Sequence, residues 1–265
     1  MLYIVPTPIG NLKDISQRAL EILNSVEIIL CEDTRKTLIL LNHFNISKPL
    51  IAYHKFNEKK SCEKIVSLLK ENKNIALVSD CGTPLISDPG QILVEELNRN
   101  ELPYTVLPGP CAFVTALVMS GFDSTRFSFF GFLPEKQKER KSLLESIKNL
   151  KTTLIFHVSV HSLQNDLNAF YNILGKRKAC LVREISKIYE EKIYFNLGEQ
   201  FEITQKGEFI IIIEGANQIE KKLSPKEAYE LLISQGMKKN QAIRKTAKEY
   251  NLNSNDFYKI INNIK

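Results

Sequence analysis

Residues 75–90 read I-A-L-V-S-D-C-G-T-P-L-I-S-D-P-G, and this stretch leaves the chain few folds to choose from. Its first four residues are a short apolar run, the pattern of a strand buried on both faces. Gly82, Pro84, Pro89 and Gly90 then interrupt any regular structure. Asp88 followed by Pro89 predicts an N-cap and a proline at the first helical position, ahead of a helix over 91–97. A buried strand that feeds a Gly/Pro loop and then a helix belongs to an open α/β sheet, whose ligands sit beyond the carboxyl ends of the strands. The loop from Ser79 to Asp88 exceeds the roughly two to six residues of an ordinary strand-to-helix connection, which favours a ligand loop.

A second loop of this kind follows. Residues 104–107 are strand-like, Pro108-Gly109-Pro110 is a rigid turn, and 111–120 is a helix of small residues ending at Gly121. Cys111, Ala112, Thr115 and Ala116 let a backbone or a ligand approach closely. A helix packed tightly on a sheet explains the alanines equally well, but not two rigid loops at one sheet edge. Ahead of both, residues 2–5 predict the first strand and Pro6-Thr7-Pro8-Ile9-Gly10-Asn11 a third rigid loop. Asp14 is placed to cap a helix over 15–23, with Gln17 completing a capping box. A strand over 26–30 runs into Cys31-Glu32-Asp33-Thr34-Arg35. Two acids and a base there suit a cleft, and suit equally a helix N-terminus whose dipole favours carboxylates. An amphipathic helix over 59–70 leads back into the strand at 75–78.

The first domain thus alternates β and α units over residues 1–121, an open and mostly parallel sheet. The second, over 122–220, has strand-like segments at 127–130, 153–156, 178–182, 192–195 and 209–213. It also has helices from the Lys136–Lys141 region to about Leu150 and over 162–174, with more antiparallel character toward its end. From 221 to 265 the pattern is helix only: Ser224-Pro225 caps 226–234, Gly236 turns, and helices follow over 240–250 and 253–262. Three short helices with basic surfaces resemble a helix-turn-helix module, although small bundles also serve as dimerisation or lid elements.

Charge sharpens this division. Residues 221–265 hold ten Lys and Arg against four Asp and Glu, a net +6 equal to that of the whole chain, so residues 1–220 are balanced. A concentrated basic excess on a small terminal module points to a polyanion, RNA or DNA first. The 265 residues suffice for two domains with proper cores, and 43% hydrophobic with 25% charged residues is ordinary globular composition. No apolar run reaches the length of a membrane span, and no signal peptide is expected. Five scattered cysteines without a C-x-x-C predict reduced thiols in a cytoplasm and no structural zinc. His157 and His161 stand four apart without ligand carboxylates, so no metal site is expected. There is no G-x-G-x-x-G after the first strand, no Walker A lysine, no H-E-x-x-H and no G-x-S-x-G. Any ligand is therefore held by Pro/Gly loops and backbone groups.

Several phrases carry a resemblance: Y-I-V-P-T-P-I-G-N-L-x-D-I-S-x-R-A-L (3–20), C-E-D-T-R-x-T (31–37), A-L-V-S-D-C-G-T-P-L-I-S-D-P-G (76–90), L-P-G-P-C-A (107–112), G-F-L-P (131–134), V-R-E-I-S-K-I-Y-E-E (182–191) and G-E-F-I-I-I-I-E-G (207–215). Together they resemble the ribosomal small-subunit methyltransferase I family, within the tetrapyrrole methylase fold class. The resemblance implies two α/β domains with a cleft between them, plus the small helical tail. It implies an S-adenosylmethionine-dependent homodimer that methylates the ribose 2′-hydroxyl of a cytidine in 16S rRNA near the decoding centre.

The resemblance also places the donor. Pro8, Ile9 and Gly10 form one wall, Asp80, Gly82, Thr83, Pro84 and Ile86 a second, and Pro108, Gly109, Cys111 and Ala112 a third. Thr83 stands where many relatives of this fold have Asp in a Gly-Asp-Pro phrase. A second departure is His157-Val158-Ser159-Val160-His161-Ser162-Leu163, where the family usually reads Tyr-Glu-(Ser/Ala)-Pro-His-Arg-Leu. The catalytic set expected is Glu32 or Asp33 as base or hydroxyl orienter, with His161 as a second candidate, and Arg35 as phosphate clamp. Lys136, Lys138, Arg140 and Lys141, with Lys238, Lys239, Arg244 and Lys245 on the tail, are expected to grip the rRNA backbone. Two further functions remain open: a tetrapyrrole C-methyltransferase of the same fold, and a ribosome-assembly factor that has lost catalysis.

Overall fold

The computed structural model describes residues 1–204, 206–216, 224–234, 236–250 and 252–262. They form two units, Met1–Ala216 and Asn217–Lys265. The expected boundary at 220/221 lies outside the described residues.

The larger unit holds two five-stranded sheets. In the first, β1 (Leu2–Ile4), β2 (Ile28–Cys31), β3 (Leu50–Ala52), β4 (Ile75–Leu77) and β5 (Tyr104–Val106) are all parallel, in the order β3-β2-β4-β1-β5. Parallel strands need crossovers, and α1 (Gln17–Ser25), α2 (Thr34–His43), α3 (Glu58–Lys70) and α4 (Gln91–Arg99) supply them. The two-residue period of the strands splits their side chains between two cores. Leu2, Ile4, Leu30, Ile75 and Leu77 pack with Ile65 and Leu69 of α3 and with Leu93 and Leu97 of α4. Val5, Ile29, Cys31, Ala76 and Val78 pack with Ala19 and Leu23 of α1 and with Leu41 of α2. With both faces covered, no polar alternation can survive, which is why the strands read as apolar runs.

The second sheet comprises β6 (Phe127–Phe132), β7 (Thr153–Val158), β8 (Lys178–Arg183), β9 (Glu191–Asn196) and β10 (Phe209–Ile213), in the order β6-β7-β10-β8-β9. Only the β6–β7 pair is parallel. One face packs on α6 (Gln137–Ile147) and α7 (Leu163–Leu174) through Leu144, Phe170 and Leu174. The other receives α5 (Ala112–Ser120): Ala116 and Leu117 bury against Ile155, Cys180, Val182, Ile210 and Ile212, joined by Ile9 from the loop after β1. A fully buried leucine contributes about 1.5–3 kcal/mol. The helix that follows the first sheet thus belongs to the core of the second, and it fastens the first sheet's loops to that core.

Local differences from expectation have simple causes. The cap of α1 is Ser16, whose hydroxyl accepts from the Ala19 N–H at 3.1 Å; Asp14 sits in a preceding single 3-10 turn and accepts from the Ser186 hydroxyl. Asp88 does not cap α4. Positive φ angles at Leu85 (71°), Ser87 (68°) and Gly90 (135°) turn the chain first, and Gly90 itself precedes the helix. The sequence pattern missed the three-residue β3, and α2 takes the helix N-terminus reading that the acids at 32 and 33 had left open.

The smaller unit packs α8 (Pro225–Ser234), α9 (Lys239–Glu249) and α10 (Ser254–Asn262) around Tyr229, Ala242, Ile243, Ala247 and Phe257. Ser224 caps α8 as expected: its hydroxyl accepts from the Glu227 N–H at 3.3 Å, and the Glu227 carboxylate accepts from the Ser224 N–H at 2.7 Å.

Candidate functional site

Parallel order puts the carboxyl ends of all five strands of the first sheet on one edge. Adjacent β4, β1 and β5 deliver the three Gly/Pro loops there side by side. Hydrogen bonds stitch the loops into one surface. Thr7 and Gly82 exchange backbone bonds of 2.8 and 3.1 Å, the Thr7 hydroxyl donates to the Ser79 carbonyl at 3.1 Å, and the Thr83 hydroxyl donates to the Pro110 carbonyl at 2.9 Å. Thr83 is therefore a loop tie, which explains how the position works without a carboxylate.

Between this surface and the second sheet lies a cavity of about 360 Å³. The loops contribute Ile9, Cys81, Ile86, Ser87, Asp88 and Ala112; across from them are Phe132, residues 157–160, Ile185 and residues 207–210. Of the residues expected at the donor, Ile9, Ile86 and Ala112 line it. Gly109 and Cys111 line an adjoining hollow with Ile9, while Pro8 and Asp80 face a smaller one beside α2. Gly10, Gly82, Thr83, Pro84 and Pro108 line none of these three and shape the loops from behind.

The expected catalytic set disperses. Asp33 is the N-cap of α2, accepting from the Arg35 N–H at 2.9 Å, and the Arg35 guanidinium grips its carboxylate at 3.1 and 2.7 Å. Those hydrogen bonds hold the Asp33 carboxyl far below the usual range, so it is a poor base. Arg35 is 88% exposed and committed to Asp33. Glu32 is half-buried, and desolvation followed by the charge of Asp80 raises its pKa. Asp80 itself accepts from the Asp33 N–H at 3.1 Å and from the Lys36 ammonium at 2.8 Å. His161 is exposed and does not line the cavity.

His157 lies there instead, stacked on Phe132 and edge-on to Phe129 with both centroids 5.2 Å away. Burial lowers its pKa, leaving a neutral imidazole near pH 7. Asp88 is the other group the sequence misplaced. Burial and then the charge of Glu32 push it up to about 6. Burial also pushes the Cys81 thiol up to about 11 and raises Cys111, which leaves no reactive thiolate among the cavity loops.

The expected RNA grips separate as well. Lys138 and Lys141 are exposed on α6, and Lys136 is exposed but paired with Glu139 at 3.0 Å. Arg140 is not a surface grip: it is 17% exposed, lies 3.3 Å from the buried Asp166 and donates to the Pro134 carbonyl at 3.0 Å. On the tail, Lys238 and Lys239 stand exposed at the start of α9. Arg244, Lys245 and Lys248 continue along its solvent side, opposite the buried Ala242, Ile243, Thr246 and Ala247.

Two α/β layers with a loop-built cavity between them define the class, and the family model for Tetrapyrrole (Corrin/Porphyrin) Methylases matches residues 1–201. The fold is that of uroporphyrin-III C-methyltransferase from Thermus thermophilus, solved complexed with S-adenyl homocysteine. That likeness has a TM-score of 0.56 and 17% identity, covering 80% of this chain and 96% of that one. In sequence the chain is 41% identical over 270 residues to the ribosomal RNA small subunit methyltransferase I of Bacillus subtilis, covering 97% of this chain and 92% of the relative. The protein of the same name from Thermotoga maritima is 42% identical, and the match takes in 98% of that protein but 81% of this chain. The chain belongs to the tetrapyrrole methylases and, within them, to the ribosomal RNA small subunit methyltransferase I family.

Proposed function

We propose that this chain methylates the ribose 2′-hydroxyl of a cytidine in 16S rRNA, working as a cytoplasmic homodimer. The activity of its family, S-adenosylmethionine-dependent methylation of small-subunit ribosomal RNA, is its activity. The observation that carries the reading is the near full-length identity to a named relative, together with a cavity suited to the donor. About 360 Å³ lies within the roughly 300–1,000 Å³ of small-molecule sites, and apolar walls with a few polar groups are their usual lining.

S-adenosylmethionine supplies a methyl group activated on a positively charged sulfur. The chain's own work is alignment and water exclusion, because an in-line displacement gains most from holding the reacting atoms in place. Ile9, Ile86 and Ala112 would hold the donor against the tied loops. Lys138 and Lys141 on α6, and the basic side of α9, would bind phosphates of the RNA. A stretch of this chain about as long as the smaller unit has no counterpart in the Thermotoga maritima relative. The basic side of α9 would add RNA affinity to the catalytic layers of Met1–Ala216. For the dimer, α5 exposes Val114 (43%) and Val118 (71%) one turn apart, an apolar stripe suited to a second copy. Among the described residues no helix is long and apolar enough to cross a membrane.

The test is tritiated methyl incorporation from S-adenosylmethionine into small subunits from cells lacking this gene, followed by nuclease mapping. The expected product is 2′-O-methylcytidine. A methylated base refutes the hydroxyl as acceptor. No incorporation despite calorimetric donor binding points to the assembly-factor reading or to a different acceptor.

A further inference from the structure

We propose that Asp88 is the group that takes the proton from the acceptor hydroxyl. This inference rests on the functional reading above. Asp88 lies on the cavity wall beside Ile86 and Ser87, with His157 of β7 and Ser159 just beyond that strand also lining the cavity. It is presented there by a strained turn. Leu85 and Ser87 hold φ angles of 71° and 68°, which cost of order 1–3 kcal/mol each in a non-glycine residue and persist where surroundings impose them. The surroundings here are identifiable: Gly90 N–H donates to Glu58 at 3.3 Å, and an atom in the place of a Gly131 Cβ would lie 3.1 Å from the Ser87 hydroxyl.

Of the other carboxylates of this edge, Glu32 carries no ion pair among the described residues but does not line the cavity, and the rest are committed. Asp33 is held by Arg35, Asp80 by Lys36 at 2.8 Å, and Glu208, the other acid lining the cavity, by Lys187 at 3.1 Å. Among the described residues no lysine or arginine pairs with Asp88, and the nearby Ser79 hydroxyl donates to the Gly82 carbonyl at 3.2 Å. The charged and titratable groups around it are Glu32 from the end of β2, Asp80 and Cys81 from its own loop, Glu58 from α3, and His157 and Glu208 across the cavity. Two nearby acids and burial make a carboxylate that holds a proton well, yet is ionised at neutral pH.

In the step itself, the hydroxyl oxygen bonds to the methyl carbon as the carbon–sulfur bond breaks. That bond's electron pair stays on the sulfur, neutralising it, and the hydroxyl proton passes to the Asp88 carboxylate. His157, neutral, stacked on Phe132 and edge-on to Phe129, is left to position the acceptor.

The experiment compares wild type with Asp88→Asn and Asp88→Glu. Asp88→Asn is expected to bind S-adenosylhomocysteine as wild type does by calorimetry, and to lose about 100-fold or more in single-turnover rate. The wild-type rate should climb between pH 5 and 7 and level off above, with Asp88→Glu recovering part of it. Independently of activity, 13C-carboxyl NMR of the donor-free protein should show a resonance titrating near pH 6 that disappears in Asp88→Asn. A rate within threefold of wild type, loss of donor binding in a folded Asp88→Asn protein, or no carboxyl titrating above pH 5 overturns the assignment. If Asp88→Asn does not fold, the wild-type rate profile decides it, and a profile flat from pH 5 to 7.5 is a refutation. Wild type inactive on rRNA sinks the functional reading, whereas an active Asp88→Asn sinks only the residue.

Discussion

Gly10→Ala tests how the loop after β1 is seated. A Cβ at Gly10 would lie 2.6 Å from Lys187 Cγ and 2.7 Å from the Ile185 carbonyl oxygen, against an optimum near 3.5 Å for non-bonded heavy atoms. The lysine stem could swing away, but the Ile185 carbonyl could not. It belongs to a turn with positive φ at Glu184 (51°) and Ser186 (65°), pinned by Ser186 to Asp14 and by Lys187 to Glu184 and Glu208 at 2.9 and 3.1 Å. Overpacking costs about 1–3 kcal/mol, and a turn this constrained places the variant in the upper half of that range. At about 2–4 °C per kcal/mol for a domain of this size, Tm should fall by roughly 4–12 °C. Because Ile9 and Ile185 both line the cavity, the displacement should also weaken S-adenosylhomocysteine binding about tenfold, which calorimetry reads directly. Gly121→Ala is the control. Gly121 has φ 64° and nothing within 4 Å of a Cβ, so that variant should lose about 1–2 kcal/mol from backbone strain and keep its donor affinity. Wild-type Tm and affinity in Gly10→Ala would refute the close packing of this loop against the Ile185 turn.

Thr83→Val keeps the shape but removes the donation to Pro110, so donor affinity should drop several-fold by calorimetry for a stability loss of about 1 kcal/mol. Arg140→Ala strands the buried Asp166, whose pKa desolvation already raises; a loss of about 3 kcal/mol at pH 7.5 is expected in urea unfolding. A raised folded-state carboxyl pKa means that the charged form opposes folding, so part of this loss should be recovered as pH falls toward 5. The same variant should leave the salt dependence of RNA binding unchanged. Replacing Lys238, Lys239, Arg244 and Lys245 together by alanine should reduce the slope of log K against log salt by about 3–4, with Tm of the larger unit unaltered. An unchanged slope would refute the phosphate contacts assigned to α9.

The fold was legible where burial is complete. β4, β10 and β7 are apolar because both their faces are covered, and helices α3, α7, α8 and α9 announce themselves through a stripe of buried residues. What the pattern missed had short-range cues that conflicted. β3 has three half-buried residues and no alternation, and α2 begins inside a phrase whose acids read as well for a cleft as for a cap. The attachment of α5 to the second sheet was not legible at all. Its small residues announce close packing, but nothing in a linear sequence names the surface that receives them.

The site failed in a more instructive way, because local chemistry was correct and its assignment inverted. Asp followed by Pro is a good helix start, so Asp88 read as a cap, while Glu32 and Asp33 read equally as cleft acids and as a helix N-terminus. The structure makes Asp33 the cap of α2 and sets Asp88 on the cavity wall. A cap needs only an extended residue before a helix, and Asp33 supplies it with φ −117° and ψ 110°. Asp88 is carried past that role by left-handed backbone at Leu85 and Ser87, a conformation that leucine and serine rarely adopt and that their identity therefore cannot signal. His157 and His161 invert likewise. They sit four residues apart and look equivalent in sequence, but strand alternation in β7 turns His157 toward Phe132 and the cavity, whereas His161 lies beyond the strand's end in solvent. A site built on strained loops is where local propensity should mislead, since the energy holding Leu85 and Ser87 in place comes from the two sheets around them.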